Sequence, residues 1–166
     1  MNELIHYTSN KNWDKIKLEG YLIPFSTPQN LYKNLSRRVK SIVGDNSYIV
    51  GIQTPLGGGW FKYGLIGYLL NHTTSEVILK VPILKPDNCF VRDHAHYSPK
   101  GTKDIYGVDL FKASLEDKID YDDKRLLESI TRYYESTVRL KEYDGSYNAP
   151  EIWLNQITPV DLLTKW

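Results

Sequence analysis

The chain has 166 residues, the size of a single domain, and with 41% hydrophobic and 25% charged residues it has the composition of a globular protein that buries a real core. A formal net charge of +1, from 21 Lys and Arg against 20 Asp and Glu, excludes a global basic footprint for phosphate backbones, and a single cysteine, Cys89, excludes an intramolecular disulfide. The opening Met1-Asn2-Glu3-Leu4-Ile5 has neither the basic nor the apolar region of a signal peptide, and no apolar run approaches the ~20 residues that span a bilayer, so a cytoplasmic location and no membrane partner are expected.

Glu3 to Tyr7 reads as a short strand. Ser9 or Asn10 then caps a helix carrying Trp13, Ile16 and Lys17, and Gly20 is placed to end it in the left-handed conformation. Tyr21 to Pro24 leaves that helix extended, and Thr27-Pro28 opens a second short helix through Leu31 and Leu35. Arg37, Arg38 and Lys40 form a small basic cluster of the kind that is usually a solvated face. Gly44-Asp45-Asn46 is a turn, and Ser47 to Gln53 a strand interrupted only by Gly51. Pro55 to Gly59 is a glycine-rich loop, after which Trp60, Tyr63, Gly64, Gly67 and Leu70 recur at helical spacing. Glu76 to Leu84 and Asn88 to Arg92 are strands, the second holding Cys89 as a small buried hydrophobe. Gly101 to Lys112 reads as an irregular connection with one short strand. Asp122 or Asp123 caps a helix bearing Leu126, Leu127, Ile130, Tyr133, Tyr134 and Val138. After the Asp144-Gly145 turn, Glu151 to Leu154 is a late strand, and Thr158 caps a last helix with Pro159 first and Asp161 at the capping-box position. Strands and helices mix without regular βαβ alternation, which predicts an α+β fold in one domain over residues 1–166.

Four segments offer chemistry. His6, in Leu4-Ile5-His6-Tyr7-Thr8-Ser9, leaves a strand just before a helix, where an imidazole can donate to a ribose hydroxyl or serve structurally by bonding a nearby carbonyl. Glu151, in Ala149-Pro150-Glu151-Ile152-Trp153-Leu154, is a charge between a proline and an apolar strand. Burying it requires donors, and at a pocket mouth it could support an oxocarbenium-like centre; the alternative is a surface carboxylate starting a strand. Val91-Arg92-Asp93-His94-Ala95-His96-Tyr97 packs polar groups directly after a strand. Arg92 or His94 could contact a phosphate or an acceptor, Asp93, His94 and His96 could contribute to a metal site, and a plain strand-exit loop with Asp93 bonding its own backbone is the structural alternative. Thr54-Pro55-Leu56-Gly57-Gly58-Gly59-Trp60 has no Gly-Lys-Ser/Thr and is no nucleotide P-loop; Trp60 is either a lid or stacking residue over a cleft or part of the core. Thirteen tyrosines and four tryptophans suit pockets for planar ligands or partner surfaces as well as a core.

His6-Tyr7-Thr8, a helix, a glycine and a Leu-Ile-Pro stretch resemble the opening motif of the ADP-ribosyltransferase superfamily, in particular the branch of DNA-modifying toxins and RNA 2′-phosphotransferases. Pro150-Glu151-Ile152-Trp153-Leu154 followed by Ile157-Thr158-Pro159 is similar to that branch's closing strand with its catalytic Glu. The likeness covers about 40 residues at the two ends, and the family's central-strand motif has no secure counterpart, with Tyr48 and Thr54 flanking the candidate strand. The resemblance implies a split, mostly antiparallel β-sheet around a central cleft that holds NAD as co-substrate. It implies catalysis by Glu151 and His6, NAD contacts from His6, Tyr7, Thr8 and Tyr48, substrate contacts from Arg92, His94 and Trp60, and no metal. The expected activity is transfer of ADP-ribose to a protein or nucleic-acid acceptor, or to water, and a toxin role would suit a small enzyme of this type. A non-enzymatic binding module using the aromatic-rich surface, and a metal-dependent hydrolase on Asp93, His94 and His96, are the alternatives.

Overall fold

Short runs rich in apolar and β-branched residues form the longer strands of the computed structural model, which describes residues 1–26, 35–53, 60, 62 and 76–166. The strands are β1 (Glu3–Thr8), β2 (Tyr21–Leu22), β3 (Ile49–Gln53), β4 (Val77–Pro82), β5 (Cys89–Asp93), β6 (Val138–Arg139), β7 (Pro150–Leu154), β8 (Thr158–Pro159) and β9 (Thr164–Lys165). Among the described residues, β6-β5-β7-β3-β1-β4-β9 form one sheet in that order and β2-β8 a second, with every paired neighbour antiparallel. Helices α1 (Asn10–Glu19), α2 (Arg37–Val43), α3 (Pro99–Tyr106), α4 (Leu110–Leu115) and α5 (Lys124–Glu135) connect the strands, so the fold is α+β as the sequence predicts.

Packing follows the pleat. Leu4, Ile49, Leu79, Ile152 and Leu154 lie on one sheet face under α1, through Ile16. Phe90, Tyr48 and Trp153 lie on the other face, against Val39 of α2 and Leu126 and Ile130 of α5. A smaller cluster of Ile5, Ile52, Trp60, Ala95 and Ala149 fills the sheet centre on that second face.

The large sheet splits in the middle. β1 pairs with β4 along its whole length, from Glu3↔Pro82 to Thr8↔Val77, but with β3 only at Leu4↔Gln53 and Ile5↔Ile52. Beyond Ile5 the β4-β1 arm and the β3-β7-β5 arm diverge. Gly51, next to the last paired residue of β3, lies close against β1: an added Cβ would fall 2.4 Å from the Ile5 carbonyl oxygen and 2.5 Å from Leu4 Cδ1. The glycine that interrupts the sequence pattern is therefore what lets β3 press against β1 where the pairing stops.

Caps behave as read. Ser9 accepts from the Asn12 amide at 3.1 Å to start α1, Gly20 ends it at φ 79°, and Asp123 caps α5. Elsewhere the tertiary fold overrides local pattern. Residues 99–115 form α3 and α4 instead of an irregular connection with a strand: Ser98 accepts from the Gly101 amide at 2.8 Å, Pro99 takes a first-turn position, and Gly107 closes the helix at φ 72°. α5 stops at Glu135, and Val138 is recruited into β6 beside Val91. The helix expected after Thr158 is a single 3-10 turn, Val160–Leu162, between two short strands: Thr158 pairs with Leu22, and Thr164 and Lys165 pair with Lys80 and Leu79 on the open edge of β4. The basic cluster is partly structural, since Arg38 of α2 donates to the Thr137 carbonyl at 2.8 Å and to the Glu135 carbonyl at the end of α5. The expected helix from Thr27 and the glycine-rich loop at 55–59 lie outside the described residues; of the expected 60–70 helix, Trp60 and Lys62 are described and are helical.

Candidate active site

The residues opposite one another across β5, β7, β3 and β1 decide what the split contains. Arg92 faces Glu151, Glu151 faces Ile52, and Ile52 faces Ile5, so these four side chains leave the same face of the sheet. His6, one residue beyond Ile5, projects from the opposite face. Where the arms diverge the two faces communicate, and His6 and Glu151 both line a cavity of about 220 Å³, together with Tyr7, Gly51, Trp60 and His94. A second cavity of about 260 Å³ on the α1 side shares His6 and Phe25 with the first and is lined by Thr8.

Glu151 is held on three sides. Oε2 accepts from the Tyr133 hydroxyl and, at 2.9 Å, from Trp153 Nε1. Oε1 lies 3.4 Å from Nδ1 of His94, and both side chains are only 13% exposed. Burial alone would raise the carboxyl; the electrostatic influence of His94 and the hydrogen bonds from His94, Tyr133 and Trp153 outweigh it and push the group down to about 2. The carboxylate is therefore ionised throughout the neutral range, fixed on a rigid strand, and clamped more tightly at Oε2 than at Oε1. Tyr133 pays the complementary electrostatic penalty: burial first, then the neighbouring carboxylate, push its phenol well above the usual value, so it remains a donor.

His94 stands between aromatic rings. Trp60 stacks on it with centroids 6.1 Å apart at 15°, and Tyr133 meets it edge-on at 5.6 Å. Tyr97, 41% exposed, stacks on Tyr133 at 5.6 Å and 29° and also meets the His94 ring edge-on at 6.4 Å. The turn carrying His94 is anchored by Asp93, whose carboxylate accepts from the amides of Ala95 at 3.1 Å, Asn148 at 3.1 Å and Ala149 at 3.0 Å. Asp93 thus ties the exit of β5 to the start of β7, and so fixes His94 relative to Glu151. Gly101 of α3 completes the support, because an added Cβ there would lie 1.7 Å from the Ala95 carbonyl oxygen.

His6 bridges the split. Its Nδ1 lies 2.8 Å from the Val50 carbonyl, which only accepts, so Nδ1 carries the hydrogen. Burial lowers its pKa, only partly offset by that hydrogen bond, and the ring is held neutral with Nε2 as an acceptor. His6 thus makes the carbonyl bond that the sequence offered as its structural alternative, and its Nε2 is left able to receive a hydroxyl hydrogen.

No protein family, curated protein or solved structure matches the chain. The site is defined by its own geometry.

The fold brings together His6, Tyr7, Trp60, His94 and Glu151 and leaves three other expected site residues elsewhere. Thr8 belongs to the α1-side cavity. Tyr48 is a core residue, 3% exposed, packed edge-on to Phe90 and Trp153 and bonded to the Val43 carbonyl at 2.5 Å, so it does not line the Glu151 cavity. Arg92 has no exposed surface and does not reach the cavity, because the aromatic rings of the second core enclose it. The metal grouping is not formed: Asp93 is spent on backbone amides, His94 turns to Glu151, and His96 turns to the Tyr106 hydroxyl at 2.7 Å. Among the described residues no three His, Cys, Asp or Glu side chains are grouped to hold an ion. Two donors to Glu151 were not anticipated. Trp153 was legible, since a residue two positions on in a strand shares the face of Glu151. Tyr133 was not, because its place on an apolar helical stripe marks it equally as core.

Proposed function

We propose that the chain uses NAD as co-substrate and transfers ADP-ribose to a macromolecular acceptor, a protein or a nucleic acid, or to water. The single observation that carries this reading is Glu151: an ionised, donor-clamped carboxylate on a central strand, sharing a cavity with a neutral histidine at the split of an antiparallel sheet. In this reading Glu151 Oε1 accepts the ribose 2′-hydroxyl hydrogen, and its charge stabilises the positive character that develops at the anomeric carbon. The carbon–nitrogen glycosidic bond breaks, and nicotinamide leaves neutral with the bonding pair. The acceptor's nucleophilic atom then bonds to the anomeric carbon, and its proton passes to a base or to solvent. His6 Nε2 receives a hydroxyl of the ligand, while Tyr7 and the stacked Trp60 and His94 rings supply walls for a planar group.

The test is NAD binding by calorimetry and nicotinamide release by the purified protein, beside Glu151→Gln and His6→Ala. The reading expects Glu151→Gln to stay folded and lose on the order of 100-fold or more in turnover. Failure of the natural protein to bind NAD, or equal turnover by Glu151→Gln, rejects it.

A further inference from the structure

Arg92 is a charged side chain buried in the core. It has no exposed surface, its Nη1 and Nη2 have no hydrogen-bond partner among the described residues, and its one side-chain hydrogen bond runs from Nε to Thr137 Oγ1 at 2.9 Å. Thr137 is itself oriented, donating to the Tyr134 carbonyl at 2.6 Å. The guanidinium is caged by rings instead, 4.8 Å from the centroids of Phe90, Tyr134 and Trp153 and 5.4 Å from Tyr133. Cation–π contact offsets part of the cost of burying it, but an apolar side chain of similar volume would fill the cage at less cost.

The location explains the charge. Arg92 is directly opposite Glu151 on the neighbouring strand, and two of its four rings, Tyr133 and Trp153, are the donors that clamp Glu151 Oε2. We infer that Arg92 is a positioning residue for Glu151: the caged guanidinium fixes the Tyr133 and Trp153 rings from behind, so that they grip Oε2 and leave Oε1 facing His94 and the cavity. The cation also draws electron density from the adjoining phenol and makes it a stronger donor, the direction in which Arg92 acts on Tyr133. Only the consequence for turnover rests on the NAD reading; the effect on the carboxylate does not.

The experiment compares the natural protein with Arg92→Met, which keeps most of the volume and removes the charge, and with Arg92→Lys. Side-chain carboxyl carbon NMR follows the titration of Glu151, assigned by its loss in Glu151→Gln. Near-ultraviolet circular dichroism and Tm report folding. The expected result is a folded Arg92→Met protein whose Glu151 midpoint rises by one pH unit or more, a tenfold change in proton affinity, with Arg92→Lys between the two. If the natural protein turns over NAD, kcat falls about tenfold or more in Arg92→Met while KM changes less than about threefold. A folded Arg92→Met protein with an unchanged Glu151 midpoint overturns the inference, whether or not NAD is a substrate. Should Arg92→Met not fold, Thr137→Val decides: it releases the guanidinium from its hydrogen bond and leaves the charge buried, and an unchanged Glu151 midpoint there overturns the inference equally.

Discussion

Acid unfolding offers a direct measure of how strongly the fold holds Glu151. Its carboxyl is pushed from an ordinary value of 4.5 down to about 2. A gap of about 2.5 pH units corresponds to about 3 kcal/mol of stability. The sign follows from the depressed folded value: the unfolded chain binds the proton first, so the contribution is complete above about pH 4.5 and is lost as pH falls toward 2. Glu151→Gln cannot titrate and lacks this contribution at every pH. The perturbation is therefore pH from 5 to 2 in the two proteins in parallel, and the assay is urea unfolding at each pH. The stability of the natural protein relative to Glu151→Gln should fall by about 3 kcal/mol across that window. With a denaturant slope near 2 kcal/mol/M, the two midpoints should draw together by about 1.5 M. Curves that stay parallel within about 0.5 kcal/mol would show that His94, Tyr133 and Trp153 do not hold the carboxylate as the geometry requires.

Three further outcomes test the frame around it. Gly51→Ala places a methyl 2.4 Å from the Ile5 carbonyl oxygen and should cost about 1–3 kcal/mol in urea unfolding, because the neighbour is backbone; a neutral effect would mean that β3 does not press on β1 there. Asp93→Ala strands three amides and should destabilise by about 3 kcal/mol or more, with faster hydrogen exchange at Ala149; unchanged exchange at that amide would remove Asp93 as the anchor of the turn. His6, held neutral by burial, should show an imidazole NMR midpoint below 6.5, and stability should decline as pH falls through that region in the natural protein but not in His6→Gln; a midpoint at or above 6.5 contradicts the buried, neutral ring.

What the sequence determined by itself is local or periodic. Ser9, Gly20 and Asp123 mark helix ends because caps act over one turn, and the β-branched and apolar run Val77-Ile78-Leu79-Lys80-Val81 marks a strand because such side chains fit a pleated, packed surface. The oddness of a charge before Ile152-Trp153-Leu154 was likewise visible, and the α+β class followed from the mixture of elements. Tertiary structure alone decided the remainder. Val138 and Thr164 became strand residues because open sheet edges offered their backbones partners that no local signal announces. Arg92 went into the core because strand register assigns it a face and a neighbour across the sheet, and His94 reached the cavity because Asp93, tied to the amides of Ala95, Asn148 and Ala149, sets the turn that carries it. His6 and Glu151, 145 positions apart in the sequence, share a cavity only because β1 and β3 pair at two positions and then part. Caps and pleats are written in neighbouring residues; the split that makes the site is a property of which strands pair and where the pairing stops.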